Sequence, residues 1–573
     1  MAVPNDTLTA DDSLRLFPPS MLARRNAKDF GAYYTDEQVA DFLVRWAIRS
    51  PGDVVLDPCF GGGVFLRSAC ARLRSMGNGA PGIRGVEIDA RACELASGEL
   101  AAEFGADRRQ LLTADFFAVG CDRLGPVDAV IGNPPFVRYQ RFSGAARETA
   151  LKQAEREGVR LTRLASSWAP FVIHAASFLR PAGRMALVIP MEICHAGYAL
   201  PVLRFLAQTF ASVTFLTFRR KLFPRLNEDT LLLLAENKGG GPSEFILLDL
   251  PDANALGEFT GECMAPNSGQ ARIDSDAICA GSQRLTEYLL PERTRCLCRE
   301  LMRSAHTRRL GDLADVGIGY VTGCNSFFHL SPADAVRWRI PNDLLRPALL
   351  KSAALRGLSF TSADWSEAAS RGTAGHLLDV PNDSRGLPKA VHRYLEFGRE
   401  KGVHNAYKCR TRTPWFSVPH VHVPHGFLTY MSGAFPRFVT NEAGAVATNN
   451  LHIVRLLNGA AFDIRELAVL WQTSLTSLSA EIEGHPLGGG MLKLEPSEAE
   501  SVLIAAPELG RGQLGELARE LDALLRAGQA SDARSVADKA VLENCLGIGE
   551  RERRLLREGA DCLRERRYHR GDK

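Results

Sequence analysis

The chain has 573 residues, of which 45% are hydrophobic and 24% charged, and its formal net charge is +3. That length exceeds what a single core fills, so two or three domains are expected, and the composition excludes both a disordered chain and a small disulfide-stapled scaffold. A charge this mild permits a polyanionic partner without requiring one.

The opening MAVPNDTLTADDS has neither a basic nor an apolar leader segment, and no apolar run approaches the roughly 20 residues that cross a bilayer. A cytoplasmic protein without a membrane partner is expected. The 13 cysteines form no CxxC pair and read as reduced thiols, so no metal is expected. After an N-terminal segment (1–30), DEQVADFLVRWAI places Val39, Phe42, Leu43 and Trp46 on one helical stripe, with Thr35 and Gln38 as its capping box.

Strand-like runs then alternate with helices. DVVLDP (53–58), GIRGVEID (82–89), QLLTADFF (110–117) and VDAVIGNPP (127–135) come first, followed by RMALVIP (184–190), SVTFLTF (212–218), DTLLLLAE (229–236) and EFILLDL (244–250). Apolar strands alternating with helices predict a doubly wound, mostly parallel sheet covered on both faces, and the close spacing of the last strands predicts an antiparallel edge. This α/β domain is expected over 31–255. Beyond the weakly periodic stretch 251–282, a mixed α+β domain is expected over 285–510, and then a helical C-terminal extension over 511–573 that reads as solvated because both charge signs are interspersed.

Chemistry gathers at the strand ends. DPCFGGGVF (57–65) turns from strand into helix, and its glycines let backbone approach a ligand closely. Alone, such a loop is as often a plain tight turn. The next strand ends in Glu87-Ile88-Asp89, the third in Ala114-Asp115-Phe116, and the fourth in Asn133-Pro134-Pro135-Phe136. Open α/β sheets bind ligands at these carboxyl ends. A rigid turn explains the two prolines, but not a polar amide placed ahead of them at the ligand edge.

The ordered series YYTDEQV, DPCFGGGVF, GVEID, TADFF and IGNPPF resembles S-adenosylmethionine-dependent amino-methyltransferases, and most closely the gamma-class, Taq-type DNA adenine-N6 methyltransferases of Type II restriction-modification systems. GYVTGCNSFF (319–328), VTNEAGAVATNNLHIVRL (439–456) and GGGMLKLEPSEAE (488–500) resemble their recognition-domain segments, so the likeness covers most of the chain. It implies a Rossmann-like methyltransferase domain followed by a target recognition domain. It further implies that Thr35 and the Gly61–Gly63 loop touch the methionine end of S-adenosyl-L-methionine, Asp57 orients nearby groups, Glu87 binds the ribose hydroxyls and Asp115 accepts from the cofactor's adenine amine, with Pro135 on the cofactor side. Asn133, Pro134 and Phe136 would hold the substrate base, and Phe223 in KLFPRLNEDT would supply a second stacking ring. The chain departs from the family at Asp36, where proline is common, at Cys59-Phe60, where smaller residues are common, and at Phe136, where tyrosine is common.

An adenine amine is a poor nucleophile because its lone pair is delocalised into the ring. An amide oxygen and a fixed backbone carbonyl, each accepting one N–H, would localise that pair toward a methyl donor without a charged base. A base inside a duplex must first be flipped out, at a cost of a few kcal/mol that stacking offsets. The expected function is site-specific adenine-N6 methylation of double-stranded DNA, by a monomer working beside a separately encoded restriction endonuclease. An RNA or protein amine methyltransferase, or a non-catalytic DNA-recognition subunit of a defence complex, are the alternatives.

Elsewhere, HVHVPH (420–425) reads as a strand end with its histidines structural or facing DNA, and KCRTRTPW (408–415) as a basic loop. His174 reads as a satisfied core residue, and Ser497 with Glu500 as a capping box.

Overall fold

The structure is a computed structural model that describes residues 36–569, apart from 225, 227, 259–269, 384–385, 460–461, 488 and 508–510. The described chain forms two compact units, one ending at Leu289 and the other running from Leu290 to Arg567.

The first unit is built on a nine-stranded sheet. Its strands are β1 (Val55–Asp57), β2 (Ile83–Glu87), β3 (Leu111–Thr113), β4 (Val127–Gly132), β5 (Leu179–Pro190), β6 (Phe210–Phe218), β7 (Thr230–Lys238), β8 (Glu244–Leu250) and β9 (Gln270–Ile273), in the spatial order β3-β2-β1-β4-β5-β7-β6-β8-β9. The first five pair in parallel. β7 is antiparallel to both β5 and β6, and β9 to β8, which gives the mixed edge expected from the late strands. β1 is buried along its whole length, as a central parallel strand covered on both faces must be. The chain winds outward from β1 to β3 and then returns to β4 on the other side of β1, so the order of winding reverses between β1 and β4. Ligand sites of open α/β sheets lie at that switch, beyond the carboxyl ends of the strands.

Helices α1 (Glu37–Ala47), α2 (Val64–Ser75), α3 (Ala90–Phe104), α4 (Gly144–Arg156), α5 (Trp168–Ser177) and α6 (Leu200–Thr209) belong to this unit. In α1, Val39, Phe42 and Leu43 are buried as the stripe predicts. Its cap differs: the Asp36 carboxylate accepts from the Gln38 N–H, and Thr35 lies outside the described residues. The sheet also continues past residue 255 through β9, followed by a short helix at Ser275–Ala280.

The second unit contains a five-stranded sheet in which Leu451–Leu456 lies between Ala314–Ile318 and Gly426–Thr429, both antiparallel to it. Three sequence expectations change here. HVHVPH is irregular rather than a strand, because His420 takes φ +59° and regular pairing begins only at Gly426, after Pro424. Glu495 and Glu498, not Ser497 and Glu500, make the capping box, since Pro496 sets the first helical position. The C-terminal helices are not a solvated tail: Leu521, Val541, Leu542, Leu556 and Asp538 are fully buried. Among the described residues no helix is long and apolar enough to cross a membrane, and no three His, Cys, Asp or Glu side chains are grouped to hold a metal.

Candidate active site

Four strand ends supply the site. β1 ends at Asp57, which is completely buried. Its Oδ1 accepts from the Cys59 N–H at 3.1 Å, while its Oδ2 is buried without a hydrogen-bond partner. Burial, with the negative Glu87 nearby, pushes this carboxyl up to about 8. β4 ends beside it: a Cβ on Gly132 would stand 2.9 Å from Asp57 Oδ1, so the absence of a side chain lets the two strand ends meet.

The glycine loop leads into α2. Gly63 caps that helix at φ +78°, where an added Cβ would also crowd Ala96 at 3.2 Å, whereas a Cβ on Gly61 would meet nothing within 4 Å. The loop and β2 are joined, because the Glu87 carboxylate accepts from Gly61 N–H and Asp89 N–H, each at 2.8 Å. Burial still holds Glu87 above the usual carboxylate range. Beyond β3, Asp115 is buried, accepts from the Phe117 N–H at 2.9 Å, and is pushed up to about 6 by desolvation. Among the described residues none of these three carboxylates has a Lys or Arg ion-pair partner. An arrangement of this kind favours a cationic ligand, whose charge would return the carboxyls to their ionised forms.

This sets a pH dependence. Asp57 and Asp115 hold protons in the fold that the unfolded chain releases near pH 4, so the empty protein loses stability as pH rises from about 4 to about 8. Asp57→Asn removes the larger part of that slope. Thermal melts across this range are expected to show the variant flatter than the wild type and the more stable of the two at pH 8.

After β4 the chain enters Asn133-Pro134-Pro135-Phe136, with Asn133 and Pro135 half-buried and Pro134 and Phe136 buried. The Cys59 thiol donates to the Asn133 carbonyl at 3.3 Å, tying this segment to the glycine loop. Ser167, just before α5, staples the other side. Its Oγ donates to the Pro135 carbonyl and accepts from the Val137 N–H at 2.8 Å, and its N–H donates to the Val137 carbonyl at 3.0 Å. About two turns into α5, the His174 Nε2 lies 3.2 Å from the Phe116 carbonyl and 2.9 Å from that of Val119, so this helix and the Ser167 that precedes it brace both the Asp115 loop and the Asn133 segment. Phe223 is buried in the loop between β6 and β7, which reaches the same region through an Arg138–Glu228 ion pair of 3.2 Å. The structure therefore brings together Asp57, Gly61, Gly63, Glu87, Asp115 and the Asn133–Phe136 segment, whereas Thr35 lies outside the described residues.

Ser167 was not legible in the sequence, being a common residue some thirty positions from its partners. Ser167→Ala leaves the Pro135 carbonyl and Val137 N–H to find new partners, at about 1–3 kcal/mol in stability. Turnover at the site is expected to slow about tenfold while the KM for a ligand held by the carboxylates and glycine loop stays unchanged.

Residues 19–204 match the family model described as N-6 DNA Methylase, and residues 282–542 match the C-terminal domain of the Type II methyltransferase M.Eco57I. The chain is a DNA adenine methyltransferase. This methyltransferase is 21% identical over 489 residues to the Type II methyltransferase M.AccI of Acinetobacter calcoaceticus, covering 83% of this chain and 85% of that one. It is 23% identical over 493 residues to M.XamI of Xanthomonas campestris pv. amaranthicola, with the same coverage. Among solved structures it shares its fold with the Type IIL restriction-modification enzyme MmeI, at a TM-score of 0.55, 13% identity, and coverage of 92% of this chain and 75% of that one. The reaction of the methyltransferase requires a methyl donor as well as the base.

Proposed function

We propose that the donor is S-adenosyl-L-methionine, that the acceptor is N6 of an adenine flipped out of duplex DNA, and that the chain is the modification enzyme of a restriction-modification system. The observation that carries the reading is the convergence of an Asn-Pro-Pro-Phe segment with the buried Asp57 and Asp115 and the half-buried Glu87, none of which has a Lys or Arg ion-pair partner among the described residues. The residues fit the cofactor: Asp57 keeps a buried oxygen unpartnered, and the backbone at Gly61 borders open space. When bound, the cofactor supplies an electrophilic methyl on a sulfonium. Gly61–Gly63 and Asp57 face its cationic methionine end, Glu87 its ribose, Asp115 its adenine amine, and Pro135 lies alongside.

On the substrate side, the Asn133 amide oxygen and the Pro134 carbonyl each accept one N–H of the target amine, turning its lone pair toward the methyl. Phe136 and Phe223 stack on the flipped base. The second unit acts as the target recognition domain, and a separately encoded endonuclease uses the same DNA sequence. The likeness to M.AccI and M.XamI, both Type II methyltransferases, supports the restriction-modification setting.

The test is incubation of the purified protein with methyl-labelled cofactor and, separately, duplex DNA, tRNA or protein. Label recovered as N6-methyladenine from the duplex is the expected result. Label confined to RNA or protein overturns the assignment, and failure to bind the cofactor favours a non-catalytic recognition subunit.

A further inference from the structure

Directly after Phe136 the chain turns to solvent. Arg138, Tyr139, Gln140 and Arg141 are all exposed, Tyr139 at 38%. A second stretch is exposed at Arg160 and from Thr162 to Leu164, where Leu164 is 59% exposed. Arg147 on α4 pins the two together, its Nη1 donating to the Tyr139 carbonyl at 3.4 Å and to the Arg163 carbonyl at 3.1 Å. Both stretches are also anchored to the catalytic segment: the first continues from it, and the second runs within three residues into Ser167, whose bonds to Val137 and Pro135 close the circuit.

A lone exposed leucine means little on a protein surface. Here two apolar side chains stand among four exposed arginines, on backbone fixed beside the segment that would hold the base. Guanidinium groups suit phosphates, and apolar side chains suit the faces of bases that have lost a stacking neighbour.

We propose that these two stretches form a DNA-gripping rim of the catalytic unit itself, with Arg141 and Arg163 on phosphates flanking the target and with Tyr139 and Leu164 covering the stack where the base has left. This rests on the reading of duplex DNA as substrate. Extruding a base exposes its neighbours to water, and side chains that cover them lower the cost of the extruded state.

Two double variants separate the roles, with Arg147 and Ser167 retained in both. Arg141→Ala with Arg163→Ala should make the plot of log affinity for duplex against log salt shallower by about 2, one for each lost phosphate contact. Tyr139→Ala with Leu164→Ala should lower kcat/KM about tenfold on a fully paired duplex. On the same duplex with the target adenine opposite an abasic site, where unpairing costs less, activity should stay within about twofold of the wild type. A cofactor-induced rise in melting temperature, measured for each variant, reports an intact site. An unchanged salt slope, or equal losses on the two duplexes, overturns the rim while leaving the substrate reading in place. A wild type inactive on both duplexes overturns the substrate reading and the rim with it.

Discussion

Replacing Asn133 by alanine is expected to slow methyl transfer by about 10²–10³-fold while leaving cofactor affinity within about twofold. The scale is that of removing one preorganised hydrogen-bonding group aimed at a reacting centre. In the proposed arrangement the effect falls on the chemical step, because the amide would act on the acceptor's lone pair whereas the carboxylates and glycine loop would address the donor. Asn133 is also held in place independently of its side chain, since the Cys59 thiol donates to its backbone carbonyl and Ser167 fixes the residues just beyond it. The alanine variant should therefore keep the segment's path. Single-turnover rates with saturating cofactor, beside a cofactor titration, check this. A variant that loses cofactor binding as completely as catalysis would place Asn133 on the donor side instead.

The second large effect concerns stability. Arg567, near the end of the last helix (Glu550–His569), is 2% exposed and grips Glu481 with two bonds, Nε to Oε2 at 3.0 Å and Nη2 to Oε1 at 2.9 Å. Its remaining N–H groups donate to the Ala434 carbonyl, at 2.8 Å, and to that of Gly490. Arg567→Ala strands a carboxylate that burial already holds above its usual range, and the expected loss is about 3–5 kcal/mol. Removing both charges, in Glu481→Leu with Arg567→Met, should recover much of it, since a buried pair returns little net energy beyond its own desolvation. Chemical denaturation of the two variants and the wild type measures the difference.

That ion pair marks where sequence reading stopped. A charged C-terminal stretch reads as solvated because both charge signs are interspersed along it, yet several of its leucines are buried and Arg567 pairs with Glu481, 86 residues away. Ser167 escaped for the same reason. What was legible was local: the glycine turn, the acidic residue closing each strand and the Asn-Pro-Pro-Phe segment each need specific residue types within a few positions. The parallel sheet followed from strand–helix alternation, and its antiparallel edge from strands too closely spaced for crossover helices. Capping was read less well. Asp36 took the role expected of Thr35, and Glu495 that expected of Ser497, because several oxygen-bearing residues stand within one turn and tertiary placement chooses among them.

β1 and β4 are nearest neighbours in the middle of a wide sheet, paired from Val55 opposite Ala129 to Leu56 opposite Val130. Asp57 and Asn133 hang from the ends of those two strands, so the proposed donor and acceptor halves share one mounting. Amide protons of these central strands are expected to exchange with solvent only when the whole unit opens. Methyl-transfer capacity and the folded state of this unit should vanish in a single cooperative step on heating.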